Sequence, residues 1–269
     1  MNKLTRVKIQ NILRKLKLLS TVEKGRYYWK VAKNRRLNNQ FRREFPNFIL
    51  PPAHLAFDAY SAPQWYHYKE TGEKSGLFLK NVIKKYIDHP TKVYEWGCGP
   101  SRIIRHLPSI LDAGIKVFGS DYNKETIEWC RENISGIHFD NNELLPPLPY
   151  PDNNFDFAYA ISVFTHLSEE AGHKWTSELY RILNNKGVLL ITTNSVHSYQ
   201  TELLESEKNA YNTKGIVVRG NYEEGKKMFL TFHNPDYIRK VLLEKFEVLE
   251  YTQNGFPMMK QDCWIARKK

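Results

Sequence analysis

Apolar residues in this chain fall into short dense runs, and between the runs they recur every three or four positions. Val93-Tyr94-Glu95-Trp96 and Ile115-Lys116-Val117-Phe118 are compact enough to be buried strands. Further strands are expected near 136–139, 155–161 and 187–193. The intervening spacing predicts helices near 101–112, 123–133 and 169–184, with another from Lys74 to Tyr86 beside the first strand. Asn234-Pro235-Asp236 is an Asn cap followed by proline in a first turn, and it starts a helix running to Leu243. Phe246 to Tyr251 and Asp262 to Ala266 read as a closing pair of strands. Strand and helix in alternation require a mostly parallel sheet with helices on both faces, so the fold class is α/β and doubly wound.

The pattern upstream is different. Ile9, Ile12, Leu13, Leu16 and Leu19 share one helical stripe among Lys8, Arg14, Lys15 and Lys17. Such a basic amphipathic helix suits an anionic membrane surface, and equally its own domain or a second protomer. Pro46, Pro51 and Pro52 then interrupt the helical pattern. The stretch from Phe57 to Tyr68 is crowded with aromatics, as a helical cap with core aromatics or a cover over a site would be. We therefore divide the chain into a basic helical extension, residues 1–73, and an α/β domain, residues 74–269. Val196 to Lys227 is polar and weakly periodic, and reads as a substrate-facing insertion or a flexible surface loop.

Charge sharpens this division. The first 45 residues hold 14 Lys and Arg against two acids, Glu23 and Glu44, whereas the remainder has 26 basic and 27 acidic residues. A near-neutral α/β part argues against a nucleic-acid groove across its face. Membrane contact, where it occurs, is expected through residues 1–24. Three cysteines without metal spacing point to a reducing compartment. The N-terminus is a poor secretory signal and no run of about 18 apolar residues occurs, so the expected location is cytoplasmic.

The chemistry gathers at two strand ends. Glu95-Trp96-Gly97-Cys98-Gly99-Pro100-Ser101-Arg102 places an acid and two glycines after the first strand, and Asp121 ends the second. Glycines let a backbone approach a ligand closely, and an acid at the second strand's tip can accept hydrogen bonds from ribose hydroxyls. The dinucleotide fingerprint needs a third glycine where Arg102 stands, and an acid near a pyrophosphate would be repulsive. S-adenosylmethionine (SAM), with an ammonium, a sulfonium and no phosphate, suits Glu95 at its methionyl end and Asp121 at its ribose.

These motifs resemble those of class I SAM-dependent methyltransferases. The resemblance continues in Phe118-Gly119-Ser120-Asp121-Tyr122-Asn123, in Leu148 to Tyr159, in Ser162 to Leu167 and in Glu178 to Thr192. It implies a Rossmann-like sheet of seven strands whose antiparallel last strand inserts between the fifth and sixth. It implies SAM contacts at Glu95, Gly97, Cys98, Gly99, Asp121 and Tyr122, an adenine contact at Asn142, and Ser162 near the methionine. It also implies a lid role for the aromatic segment. The Pro146-Pro147-Leu148-Pro149 run, the Val163 to His166 turn and Gln261-Asp262 are similar to members associated with surface-polysaccharide synthesis.

Ser162-Val163-Phe164-Thr165 lacks the Asn/Asp-Pro-Pro-aromatic run of base-modifying enzymes, and no acids cluster there for magnesium. The expected acceptor is therefore a small molecule or saccharide, methylated on a hydroxyl oxygen without a metal. A hydroxyl is a poor nucleophile until its proton leaves, and histidine suits that base near neutral pH. His166, after the fourth strand, and His233, before the Asn234 helix, are the preferred candidates, with His197 a third; an ordinary loop or helix-start histidine is the alternative for each. A non-catalytic SAM-binding scaffold and, further off, an NAD-dependent oxidoreductase are the competing functions.

Overall fold

A computed structural model describes residues 19–269. The stretch 1–18, which carries most of the expected amphipathic stripe and of the expected membrane contact, lies outside the described residues. The first elements are helices α1 (Leu19–Glu44), α2 (Ala53–Tyr60) and α3 (Trp65–Tyr86). Strand β1 (Lys92–Trp96) leads through a 3-10 turn to the short α4 (Leu107–Ile110). Then follow β2 (Lys116–Asp121), α5 (Lys124–Asn133), β3 (Ile137–Asn141), β4 (Phe155–Ala160), α6 (Glu169–Ile182) and β5 (Leu183–Asn194). Two helices, α7 (His197–Thr201) and α8 (Glu205–Thr213), precede β6 (Ile216–Arg219) and β7 (Leu230–His233). The chain closes with α9 (Pro235–Tyr237), a π turn, β8 (Phe246–Thr252) and β9 (Gln261–Lys268).

Seven strands form one sheet in the order β3-β2-β1-β4-β5-β9-β8. The first five are parallel, and β9 runs antiparallel between β5 and β8. This is the expected doubly wound architecture with its reversed last strand. Alternate residues of a strand face opposite sides, so the central strands must be apolar at nearly every position. Val93, Phe157, Tyr159, Val188 and Leu190 accordingly enter one core layer. Tyr94, Ala158, Ala160, Leu189 and Ile191 enter the other. Glu95 has the parity of Val93, which directs it away from the layer that holds Trp96.

The N-terminal helices are built onto this body. Asn38 of α1 donates to the Pro63 carbonyl at 2.9 Å and accepts the Trp65 N–H at 3.1 Å. Phe41, fully buried, packs edge-on to Phe48 and Tyr66. Helix α3 runs unbroken across the expected 73/74 division. It lies flush beneath the loop after β1, because an added Cβ at Gly72 would come within 2.0 Å of the Arg102 carbonyl.

One expectation is corrected, and one pair of alternatives is narrowed. The helix near 101–112 is only the turn Ile104–His106 followed by α4. Ser101 has φ +58, and Pro108 has no N–H to continue a helical ladder. The polar region Val196–Lys227 is not a bare loop. It forms α7, α8 and β6, and β6 pairs with β7 over the buried cluster Leu203, Tyr211, Val217 and Phe232. Arg219 grips Glu207 through Nε (2.8 Å) and Nη2 (2.7 Å) beneath it. Weak helical periodicity concealed a small α/β module in which only a few apolar residues need burial.

Candidate active site

A cavity of about 370 Å³ opens at the carboxyl ends of β1, β2, β4 and β5. Ligands of open parallel sheets sit at this edge, where the loops diverge. Gly97, Gly99, Asp121, Tyr122, Asn142, Ser162 and His166 all line it, so most of the residues singled out in the sequence meet in one place.

Its floor is the turn after β1. The amides of Gly97 (2.8 Å) and Cys98 (2.9 Å) both donate to the Ser120 carbonyl, which ties the turn to β2. Gly97 has φ +74, and an added Cβ would meet Val163 Cγ2 at 2.4 Å. Only glycine combines that left-handed backbone with that closeness. Asp121 accepts from the Gly99 amide through Oδ2 and from the Asn123 amide through Oδ1, both at 2.9 Å. Burial raises its pKa, and the two N–H donors oppose the shift. Each carboxylate oxygen retains a lone pair for a further donor.

Asn142 accepts from Ser120 Oγ at 2.7 Å and donates to the Glu143 carbonyl at 2.6 Å. Its amide is thus held in place with one N–H and one lone pair to spare. Ser162, at φ +64 on the tip of β4, donates its hydroxyl to Gln261 Oε1 at 2.8 Å. Thr192 donates to the same oxygen at 2.7 Å. Gln261 and its cross-strand neighbour Asn194 both line the cavity.

The roof comes from both ends of the chain. Leu55, Asp58, Ala59 and Tyr60 of α2 line the cavity, while Trp65 and Tyr68 are core. The aromatic segment is thus divided between the cavity wall and the core. Opposite stands the Gly225-Lys226-Lys227 tip of the insertion. Lys226 pairs with Asp58 at 3.3 Å, and Lys227 pairs with Glu23 of α1 at 3.1 Å and donates to the Phe57 carbonyl at 2.9 Å.

His166 is oriented by the same insertion. Its Nδ1 lies 2.7 Å from the Phe229 carbonyl, and its own carbonyl accepts the Gly225 amide at 2.9 Å. A carbonyl only accepts, so Nδ1 carries the hydrogen and Nε2 is the basic nitrogen. Burial lowers the imidazole pKa, so the ring is neutral at pH 7.

Four expected site residues do not line the cavity. Glu95 lies beneath the loop on the Val93 face of β1, where Oε2 accepts from Tyr159 Oη at 2.9 Å. Burial pushes its pKa up to about 8 against that hydrogen bond and the Arg102 charge. The side chain of Cys98 belongs to the core layer below, and only its backbone shapes the turn. His233 is closed off in β7, with its ring beside Tyr237 and Nδ1 unpartnered. Burial, with His173 nearby, drops its pKa to about 3. Strand β7 pairs with β6 and not with the main sheet, which carries His233 away from the carboxyl edge. His197 begins α7, exposed and outside the cavity. Tyr60, Lys226, Lys227 and Asn194 also line the cavity, and none stands in a motif of regular spacing, whereas Gln261 belongs to the Gln261-Asp262 pair noted in the sequence.

Residues 94–191 match a family profile described as a methyltransferase domain. A phosphoethanolamine N-methyltransferase of Plasmodium falciparum is 34% identical over 82 residues, which is 29% of this chain and 30% of that protein. The match thus spans under a third of the curated relative's length. Among solved structures, a SAM-dependent methyltransferase from Methanosarcina mazei aligns with a TM-score of 0.51 at 20% identity, covering 70% of this chain and 96% of that one. A 1,6-didemethyltoxoflavin-N1-methyltransferase of Burkholderia thailandensis, bound to 1,6-didemethyltoxoflavin and S-adenosylhomocysteine, aligns at 0.52 and 13% identity, covering 83% and 93%. The domain match covers the first five strands from residue 94 to residue 191, and the fold of the whole sheet is shared with the SAM-dependent methyltransferase from Methanosarcina mazei.

Proposed function

We propose that this protein transfers a methyl group from SAM to a hydroxyl oxygen of a small-molecule or saccharide acceptor, without a metal, using His166 as the base. The observation that carries the reading is the hydrogen bond from His166 Nδ1 to the Phe229 carbonyl. It leaves a neutral imidazole with a basic Nε2 at the wall of the cavity.

The residues present fit the cofactor. Gly97 allows a ligand against the backbone, Asp121 has lone pairs for ribose hydroxyls, and Asn142 has a free donor and acceptor for an adenine edge. Bound SAM supplies a methyl group already activated on a sulfonium, so the chain's task is position and proton removal. Asn194 and Gln261 offer side-chain amides from adjacent strands, which suits an acceptor that both donates and accepts. His166 takes the hydroxyl proton as the oxygen attacks, and the roof of α2 and Lys226 keeps water out. An amine is the second reading, favoured by the N-methyltransferase relative.

Radiolabelled SAM, incubated with saccharides, simple alcohols and amines, tests the assignment. Label transfer to a hydroxyl supports it. Transfer to amines alone overturns the oxygen assignment, and tight SAM binding without any transfer favours a scaffold. Asp121→Ala should weaken SAM binding by about 1–3 kcal/mol in calorimetry, through lost charged hydrogen bonds and a loosened Gly99 amide.

Peripheral membrane contact through residues 1–24 remains part of the reading, and surface-polysaccharide synthesis would suit a lipid-linked acceptor. No helix among the described residues is long and apolar enough to cross a membrane. Because Glu23 reaches Lys227 in the roof, removal of residues 1–18 is a cleaner test than removal of 1–24. Sedimentation with anionic liposomes should fall while SAM affinity holds, and undiminished sedimentation would refute the contact.

A further inference from the structure

The outer face of α1 is basic and aromatic, and it is turned to solvent. The inner face is engaged with the body. Tyr27 packs edge-on to Phe57 with ring centres 5.3 Å apart, Lys30 donates to the Ser61 carbonyl at 2.6 Å, and Phe41 is fully buried. The opposite face carries Trp29, Lys33, Arg36, Gln40 and Arg43 at helical spacing, flanked by Tyr28, Arg35 and Arg42. Tyr28 is 70% and Trp29 58% exposed, and Lys33 Nζ stands 4.9 Å from the centre of the Trp29 ring. Between Glu23 and Glu44 the chain has no acid. Glu23 turns to Arg26 and Lys227, and Glu44 accepts from Gln40 at 2.8 Å. Among the described residues no carboxylate pairs with Lys33, Arg35, Arg36, Arg42 or Arg43. An open groove runs along this face between Lys33, Arg36 and Arg43.

We infer that this face of α1 docks on an anionic lipid surface. Charge and exposed apolar area decide between the possible occupants. The chain's own first 18 residues carry Lys3, Arg6, Lys8, Arg14, Lys15 and Lys17 and no acid, so the face repels them. A second copy seated face to face on a two-fold axis would set these cations against their like. Nucleic acid would take the cations and stack on Trp29, but it would leave the exposed Val22 and Leu37 in water. The headgroup region of an anionic bilayer takes cations, Tyr and Trp rings and aliphatic side chains together. This site is separate from the contact through residues 1–24, and it does not depend on the transferase reading. Because α1 meets the roof through Glu23, Tyr27 and Lys30, docking holds the roof about one helix diameter, about 10 Å, from the lipid.

Sedimentation of the full chain with phosphatidylcholine vesicles, with and without phosphatidylserine, tests the assignment. The unmodified protein should partition onto the phosphatidylserine vesicles and be released by high salt, which screens exposed charges. Each basic residue at an anionic surface is worth about fivefold in partitioning, so the triple variant Lys33→Gln, Arg36→Gln, Arg43→Gln should bind roughly 100-fold more weakly. Trp29→Ala should weaken binding as well, by a factor that salt leaves unchanged. All four side chains are exposed, so circular dichroism and thermal melting should match the unmodified protein. Undiminished partitioning of the triple variant overturns the assignment; if removal of residues 1–18 then abolishes partitioning, the contact through residues 1–24 still stands. A full chain that ignores the phosphatidylserine vesicles overturns both, and binding to a single-stranded oligonucleotide in that case gives the face to nucleic acid. A dimer of the unmodified protein that the triple variant dissolves, with no partitioning by either, gives it to a second copy and overturns the assignment.

Discussion

Gly97→Val should abolish SAM binding in calorimetry while the sheet still folds. Gly97 combines a φ of +74 with a position where any Cβ lies 2.4 Å from Val163 Cγ2. The left-handed backbone costs an L-residue about 1–2 kcal/mol, and more when it is β-branched. Overpacking adds roughly 1–3 kcal/mol, relieved only if the turn lifts from Val163. Lifting it breaks the bonds from the Gly97 and Cys98 amides to Ser120 that set the cavity floor. Together these amount to about 2–5 kcal/mol and predict a loss of about 30- to 4,000-fold in affinity, since each 1.4 kcal/mol is a factor of ten. Gly97→Ala carries the same Cβ and should lose binding in the same direction. Pairing it with Val163→Ala removes the clash while keeping the backbone strain, so the double variant should recover part of the loss. Wild-type affinity in Gly97→Val would mean that the cofactor lies elsewhere.

The other large effect is expected on turnover, with binding preserved. His166→Gln should reduce kcat by about 100- to 10,000-fold, the usual worth of a positioned base. SAM affinity should hold, because the imidazole's partner is the Phe229 carbonyl rather than the glycine turn. Glutamine keeps a donor for that carbonyl, so the insertion should stay docked and the loss can be assigned to the basic nitrogen. The pH profile gives an independent check. Burial lowers the His166 pKa below 6.5, with the Phe229 carbonyl opposing. The neutral base therefore persists at lower pH than in a free imidazole. The acid limb of kcat/KM should fall below pH 6.5 in the unmodified enzyme and disappear in His166→Gln. A variant with full activity would remove His166 from the chemistry.

His166 and His233 show how far the chain alone could be read. Both follow apolar runs and both precede helix starts, so the two positions look equivalent along the sequence. They are separated by pairing. His166 follows β4, in the middle of the main sheet, and reaches the carboxyl edge. His233 ends β7, which pairs with β6 in the small sheet, and its ring is sealed against Tyr237. Glu95 and Asp121 repeat the lesson. Each is an acid at a strand end, but Asp121 stands in the cavity wall, whereas the face of β1 that carries Val93 takes Glu95 under the loop to Tyr159.

The sequence by itself determined the order of strands and helices, the reversed closing strand, and the meeting of Gly97, Gly99, Asp121, Asn142 and Ser162 at one edge. Periodicity is set by backbone geometry, and strand ends of a parallel sheet converge whatever the details of packing. The tertiary structure decided what depends on contacts between distant segments. It shortened the helix after Ser101, folded residues 196–227 into a module, and brought Lys226 and Lys227 over the mouth. It also put His166 in the cavity wall and His233 in the small sheet. Each of these turns on which face of one element meets another, and that is a property of the packed chain rather than of spacing along it.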